Sequence, residues 1–165
     1  MKRFTVALLA MTTSATLGLA QDVPFGEPRI GADRLRQPTL SDLMTLVQVR
    51  HIKLWFAGKA QNWDLLQYEV RQIGDALSRS ALLYSNIPVE LVVETHKSVQ
   101  KIGDAARDRN SAAFEAAYGE MKTACNSCHA AAGIAFIRVQ PPTLFPFTDQ
   151  ALVPPRAPAA GRRAQ

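Results

Sequence analysis

The chain has 165 residues, of which 20% are charged and 47% hydrophobic, and its formal net charge is +5. This is about one domain's length, enough to bury a modest core. The basic residues form no dense stripe with interleaved aromatic side chains, so the pattern argues against nucleic-acid binding. Only two cysteines are present, which argues against a zinc site built from Cys and His ligands alone.

Residues 1–20 have the features of a secretory signal peptide. Lys2 and Arg3 precede an uncharged apolar stretch from Phe4 to Leu19, and a small-residue cleavage site precedes Gln21. The apolar stretch is shorter than the ~20 residues that span a bilayer, so we predict no stable membrane insertion. The sequence therefore predicts export, to the periplasm in a bacterium.

Residues 21–38 carry prolines and glycines without helical periodicity, and we predict an extended N-terminal segment. Thr39 is expected to cap a first helix, with Asp42 completing a capping box, and Gly58 is expected to end it. The apolar stripe of this helix contains Leu40, Leu43, Met44, Val47, His51, Leu54 and Trp55.

Two further amphipathic helices follow. The second is predicted to begin after Asn62, a residue type that favours the N-cap position. The segment 86–88 interrupts the pattern, and Pro88 is expected to be the first residue of a third helix. That helix carries His96 on its apolar side, and a polar turn at 107–110 ends it.

A fourth helix is predicted from about Ser111, and its apolar stripe continues into Cys125 and Cys128. No strand-like alternation of useful length occurs. Four amphipathic helices with short connections predict an all-α domain over residues 39–133, an antiparallel up-down-up-down four-helix bundle. Residues 134–165 form a Pro-rich tail, of which 134–147 are apolar enough to cross the bundle and the last dozen are expected to be disordered.

The stretch Cys125-Asn126-Ser127-Cys128-His129 reads Cys-x-x-Cys-His, the attachment signature of a c-type haem. Two thiols at this spacing can each add across a haem vinyl group, and the adjacent imidazole can bind the iron. A thioredoxin-like dithiol would require a βαβ context, and a disulfide between these cysteines would close a very small loop. The sequence therefore predicts one covalent haem c.

With this motif near the end of a fourth helix, the chain resembles the class II cytochromes c, the cytochrome c′ group. The resemblance covers residues 39–133, while the block 50–58 and the Pro-rich tail are unlike that group. It implies a periplasmic haem protein with Cys125 and Cys128 as thioether anchors and His129 as the proximal iron ligand. It also allows a homodimer through the first two helices.

The sixth iron ligand decides the expected function. In an antiparallel bundle the start of helix one lies beside the end of helix four, which favours Met44; His51 and His96 are the alternatives. A core position is the ordinary role of an isolated apolar-face histidine, and core filling is the ordinary role of Met44. The iron could also be left open.

We predict a one-electron carrier that serves an unidentified redox partner protein. The alternative is a five-coordinate haem protein that binds nitric oxide or carbon monoxide. A small peroxidase would need polar distal groups beside an open iron. His51 or His96 could supply one, but no Arg–His pair stands at a suitable spacing, so enzymatic activity ranks last.

Overall fold

The computed structural model describes residues 37–85 and 87–154. Its regular structure in these residues consists of four helices, α1 (Leu40–Lys59), α2 (Trp63–Leu83), α3 (Val89–Arg107) and α4 (Ser111–Ala131), without a strand. The predicted all-α class is therefore confirmed for this part of the chain. The predicted signal peptide, nearly all of the segment 21–38 and the end of the tail lie outside the described residues.

The helix starts follow the capping chemistry of the sequence. Thr39 accepts from the backbone N–H of Asp42, whose carboxylate accepts from the N–H of Thr39, so the predicted capping box is present. The Asn62 side chain accepts from the N–H of Leu65 and caps α2. Pro88 occupies the N-cap of α3 rather than its first helical position, one residue from the predicted place.

The expectation that Gly58 ends α1 is wrong, because the helix continues to Lys59 and Ala60 is the C-cap. Gly58 is buried, and a Cβ atom at this position would lie 2.3 Å from the ring of Phe114 on α4. Glycine is required here because the aromatic ring occupies the space of a side chain. The sequence alone could not separate this role from that of a helix terminator.

The α1–α2 and α3–α4 connections have the same construction. Gln61 and Arg109 adopt left-handed backbone angles, with φ of 56° and 51°. The next residue, Asn62 or Asn110, closes a Schellman turn through its N–H and caps the following helix with its side chain. One asparagine in each turn thus satisfies backbone groups of two helices, which keeps both connections short.

Successive helices pack side by side in antiparallel pairs, an arrangement consistent with a helical bundle. α1 packs along α2, α2 along α3 and α3 along α4, whereas α1 and α4 approach each other at few positions. Between α2 and α3, a Cβ on Gly103 would meet Val70 and a Cβ on Gly74 would meet His96. The core joins all four helices; its fully buried members include Leu54, Leu66, Ile102, Phe114, Val99, Met121, Ile73 and Tyr118.

Candidate functional site

The candidate site lies on the last two turns of α4. Cys128 and His129 follow Cys125 by three and four residues, so all three lie on one face of the helix. Both cysteines are free thiols. The motif therefore presents two thiols and one imidazole to a common side.

Burial raises the pKa of the Cys125 thiol to about 11, with a smaller contribution from the neighbouring Cys128, and it raises the pKa of Cys128 as well. Cys-x-x-Cys pairs that exchange disulfides have a thiol whose pKa is lowered. The direction of these shifts is the opposite, and it argues against a redox-active dithiol.

The imidazole of His129 has a defined partner. Its Nδ1 lies 2.8 Å from the backbone oxygen of Ile137, which can only accept. The proton of the neutral ring therefore stands on Nδ1, and the lone pair of Nε2 is left for another ligand. Histidines that bind metals use this arrangement, in which a carbonyl on one nitrogen orients the other.

α4 is buried along only part of its length. Its buried residues are Phe114, Ala117, Tyr118 and Met121, whereas no residue from 122 to 131 is fully buried. Cys125 packs at the edge of the core. The motif therefore lies where the protein core ends, and this surface could pack against a macrocycle.

In the described part of the chain, no cluster of three or more His, Cys, Asp or Glu side chains could hold a metal ion by itself. A haem brings its own equatorial ligands and requires only axial ones from the protein. Two unpaired thiols beside an imidazole with a free Nε2 are the donor set that such a group requires. The residues present fit a haem c.

His51 is a buried residue of α1 whose side chain contacts α4. Its Nε2 is 2.6 Å from the hydroxyl of Tyr118, and the two rings stack with centroids 5.0 Å apart. Burial lowers the pKa of His51 to about 4 and raises that of Tyr118 above its usual range. Both groups are therefore neutral at pH 7, and each is the other's polar partner.

The His51–Tyr118 contact also defines the register of α1 against α4. Met44 precedes His51 by seven residues and Cys125 follows Tyr118 by seven, which is about 10 Å along each helix. Because the two helices are antiparallel, Met44 lies near the level of Cys125. Its side chain is half-buried.

His96 lies on the other side of the core. Its Nε2 would be 3.1 Å from a Cβ placed on Gly74, so the imidazole packs against the backbone of α2. The structure therefore places the three candidate sixth ligands differently: Met44 is level with the motif, His51 is paired with Tyr118, and His96 lies against α2.

The segment after α4 returns across the protein. Asn126 pairs with the backbone of Val139 at the motif end. Further along, the ring of Phe145 meets Phe56 of α1 edge-on, and the Asn62 amide donates to the oxygen of Leu152 beside the α1–α2 turn. Residues 134–152 therefore run from the motif to the opposite end of α1.

A part-buried ion pair joins α1 to α2. Arg50 lies 3.3 Å from the carboxylate of Glu69, which is 1% exposed. Burial raises the pKa of Glu69, while the charge of Arg50 acts in the opposite direction. The ammonium group of Lys53, one turn further, lies 4.7 Å from the ring centre of Phe147.

Sequence reasoning did not identify Tyr118 as the partner of His51 or Asn126 as a contact of the tail. An apolar-face histidine signals a need for a polar partner, and an asparagine inside the motif is a polar residue without an assigned role. Neither observation identifies Tyr118 or Val139 as the partner, because each partner lies on a different segment of the chain.

Comparisons with protein-family models, with curated proteins and with solved structures gave no match. Within residues 37–85 and 87–154, none of the four helices is long and apolar enough to cross a membrane.

Proposed function

We propose that this chain is a c-type cytochrome that carries one electron at a time through a haem attached to Cys125 and Cys128. The observation that carries the proposal is the face of α4 on which two unpaired thiols stand beside His129, whose Nε2 lone pair is unused. Both cysteines of the chain belong to this motif.

The roles of the residues follow from their chemistry. Each thiol would add across one vinyl group, forming a carbon–sulfur bond while its proton passes to the other vinyl carbon. His129 would bind the iron through Nε2, with its ring held by the oxygen of Ile137. The bound haem supplies the one-electron couple, and burial and axial ligation set its potential.

Export belongs to the same proposal. The signal-peptide pattern of residues 1–20 and the Cys-x-x-Cys-His motif are independent features of the sequence. Together they support a periplasmic haem protein, for which we propose electron exchange with a partner protein rather than an enzymatic reaction.

Met44 is the sixth ligand that the geometry favours. It is level with Cys125 across the α1–α4 side, where the helices have few contacts. His51 would have to leave Tyr118 to bind an iron, and His96 faces α2. A thioether sulfur in this position raises the reduction potential relative to a second imidazole.

The test is the visible spectrum of the reduced protein, made with haem-attachment machinery, before and after carbon monoxide is added. Sharp low-spin bands that the gas does not change would support a six-coordinate electron carrier. A high-spin spectrum that shifts with the gas would favour a gas-binding protein. Absence of haem bands would refute both functions.

The same spectrum tests the ligand. Met44→Ala should convert the low-spin haem to high-spin while the haem stays covalently attached. Met121→Leu is the control, because Met121 is a buried core residue of α4 and its loss should leave the spin state unchanged. A low-spin Met44→Ala protein would exclude Met44, and His51→Ala would be tested next.

A further inference from the structure

Asn126, the first residue between the two motif cysteines, is fastened to the tail by two hydrogen bonds. Its side-chain N–H donates to the backbone oxygen of Val139 at 3.0 Å, and its side-chain oxygen accepts from the N–H of Val139 at 2.8 Å. The amide thus pairs with both backbone groups of one residue. These two hydrogen bonds fix both the position and the orientation of the Val139 backbone relative to α4.

The same short segment supplies the partner of His129. The carbonyl of Ile137, which accepts from the imidazole Nδ1, is two residues before Val139. The other end of the segment leaves α4 through a Schellman turn, with Gly133 at φ 74° and the N–H of Ile134 donating to the oxygen of His129. Residues 134–139 therefore form a loop attached to α4 at both ends.

Few apolar contacts would hold this loop without Asn126. Phe136 is 81% exposed and Ile137 is 49% exposed, so neither side chain is anchored in the core. After Ile137 in the chain, the nearest described hydrogen bonds between the loop and α4 are the two that join Val139 to Asn126. Loss of these bonds would allow that carbonyl to leave the imidazole.

We propose that Asn126 is a positioning residue for the iron ligand: it holds the tail so that the Ile137 carbonyl orients and polarises His129. This inference depends on the proposed haem function. A hydrogen bond from Nδ1 increases the electron donation of the ring to a metal on Nε2, which favours the oxidised iron and lowers the reduction potential. Asn126 would thus lower the potential indirectly, by holding the backbone segment that carries the Ile137 carbonyl.

The second intervening residue provides a matched control. Ser127 is exposed, and its hydroxyl donates to the backbone oxygen of Thr123 within α4. Its side chain makes no hydrogen bond to residues 134–139. Ser127→Ala therefore changes the motif by the same kind of truncation while leaving the loop attached.

The first measurement is tryptic cleavage after Arg138, an exposed residue inside the loop, followed by mass spectrometry of the native haem-loaded protein. Asn126→Ala should raise the rate of this cut about tenfold, because two hydrogen bonds that hold the site are lost. Ser127→Ala should cut at the wild-type rate. An unchanged rate in Asn126→Ala would overturn the proposal.

The second measurement is the reduction potential of the same proteins. Asn126→Ala should shift the redox equilibrium at least threefold toward the reduced iron, which is about 30 mV for one electron, and Ser127→Ala should not. In the high-spin Met44→Ala background, adding Asn126→Ala should also lower the frequency of the Fe–His stretching vibration of the reduced protein. A wild-type potential in Asn126→Ala with haem attached would overturn the ligand role.

Two further variants keep the test open if Asn126→Ala folds poorly. Val139→Pro removes the N–H donor from the tail side, and Asn126→Asp keeps the acceptor but loses the donor. Val139→Pro should raise the potential, and it is tested by the potential alone because trypsin does not cut before a proline. Asn126→Asp should raise the cleavage rate, and it is tested by cleavage alone because its added negative charge itself lowers the potential. If the wild-type protein itself carries no covalent haem, the proposed function fails. If the wild type carries haem and the variants have its potential and its cleavage rate, only the proposed role of Asn126 fails.

Discussion

The two halves of α4 differ in what holds them. Residues 111–121 contribute four buried side chains to the core, and the ring centroid of Tyr118 lies 4.6 Å from that of Trp55 and 5.0 Å from that of His51. Residues 122–131 have no fully buried side chain and are fastened to the tail through polar atoms. The first half is held by fully buried side chains, and the second half by half-buried side chains together with hydrogen bonds to the tail.

This difference indicates that the first half of α4 stabilises the fold and that the second half presents the motif side chains. The contacts of Phe114 and Tyr118 with α1 fix the distance and register between α1 and α4. The motif half leaves its thiols and imidazole at the edge of the core, where a bound group can complete the packing. We therefore expect changes in the first half to alter folding stability, and changes in the second half to alter the proposed haem attachment.

The largest expected effect is the loss of the proposed haem. Cys125→Ala combined with Cys128→Ala should abolish covalent haem completely, because both thioether donors are removed. The variant should keep most of its helical signal, since the buried residues of α4 end at Met121. Haem staining after denaturing electrophoresis and far-ultraviolet circular dichroism measure the two properties.

Retained covalent haem in that double variant would refute the central proposal. Ser127→Ala is again the control inside the motif, and it should bind haem as the wild type does.

A change in the first half should destabilise the fold. Gly58→Ala places a Cβ atom 2.3 Å from the Phe114 ring, so α1 and α4 must move apart, at a cost of about 3 kcal/mol in the free energy of unfolding. Denaturant unfolding of the haem-loaded protein measures this quantity.

Gly119→Ala is the matched control on α4. Nothing lies within 4 Å of the added atom, so the ordinary helix preference of Ala should stabilise the protein by about 0.5–1 kcal/mol. Equal effects of the two substitutions would show that α1 and α4 do not approach closely at Gly58.

The last expected effect depends on pH. Burial lowers the pKa of His51 from 6.5 to about 4, so between these values the unfolded chain binds a proton that the folded protein excludes. The stability of the neutral, Tyr118-bonded ring is complete above pH 6.5 and is lost as the pH falls toward 4, by at most about 3 kcal/mol.

His51→Gln removes this titration while keeping a hydrogen-bonding side chain. The loss of unfolding free energy between pH 7 and pH 4.5 should be smaller in His51→Gln than in the wild type. The same pH dependence in both proteins would mean that His51 is solvated or charged in the native state.

Much of the helical pattern could be predicted from local features. Capping residues such as Thr39 and Asn62 act on backbone groups three residues away, so their effect is visible in a short stretch of sequence. The one-residue difference at Pro88 and the wrong end at Gly58 have a common cause: both residue types suit more than one position near a helix terminus, and packing decides between them.

The sequence by itself determined the Cys-x-x-Cys-His motif, its helix and the apolar stripes, because each depends on spacing within one helix. Only the tertiary structure decided that Gly58 makes room for Phe114, that His51 pairs with Tyr118, and that Asn126 holds the tail beside His129. These contacts join residues far apart in the chain, and such distances follow from how helices pack rather than from local preference.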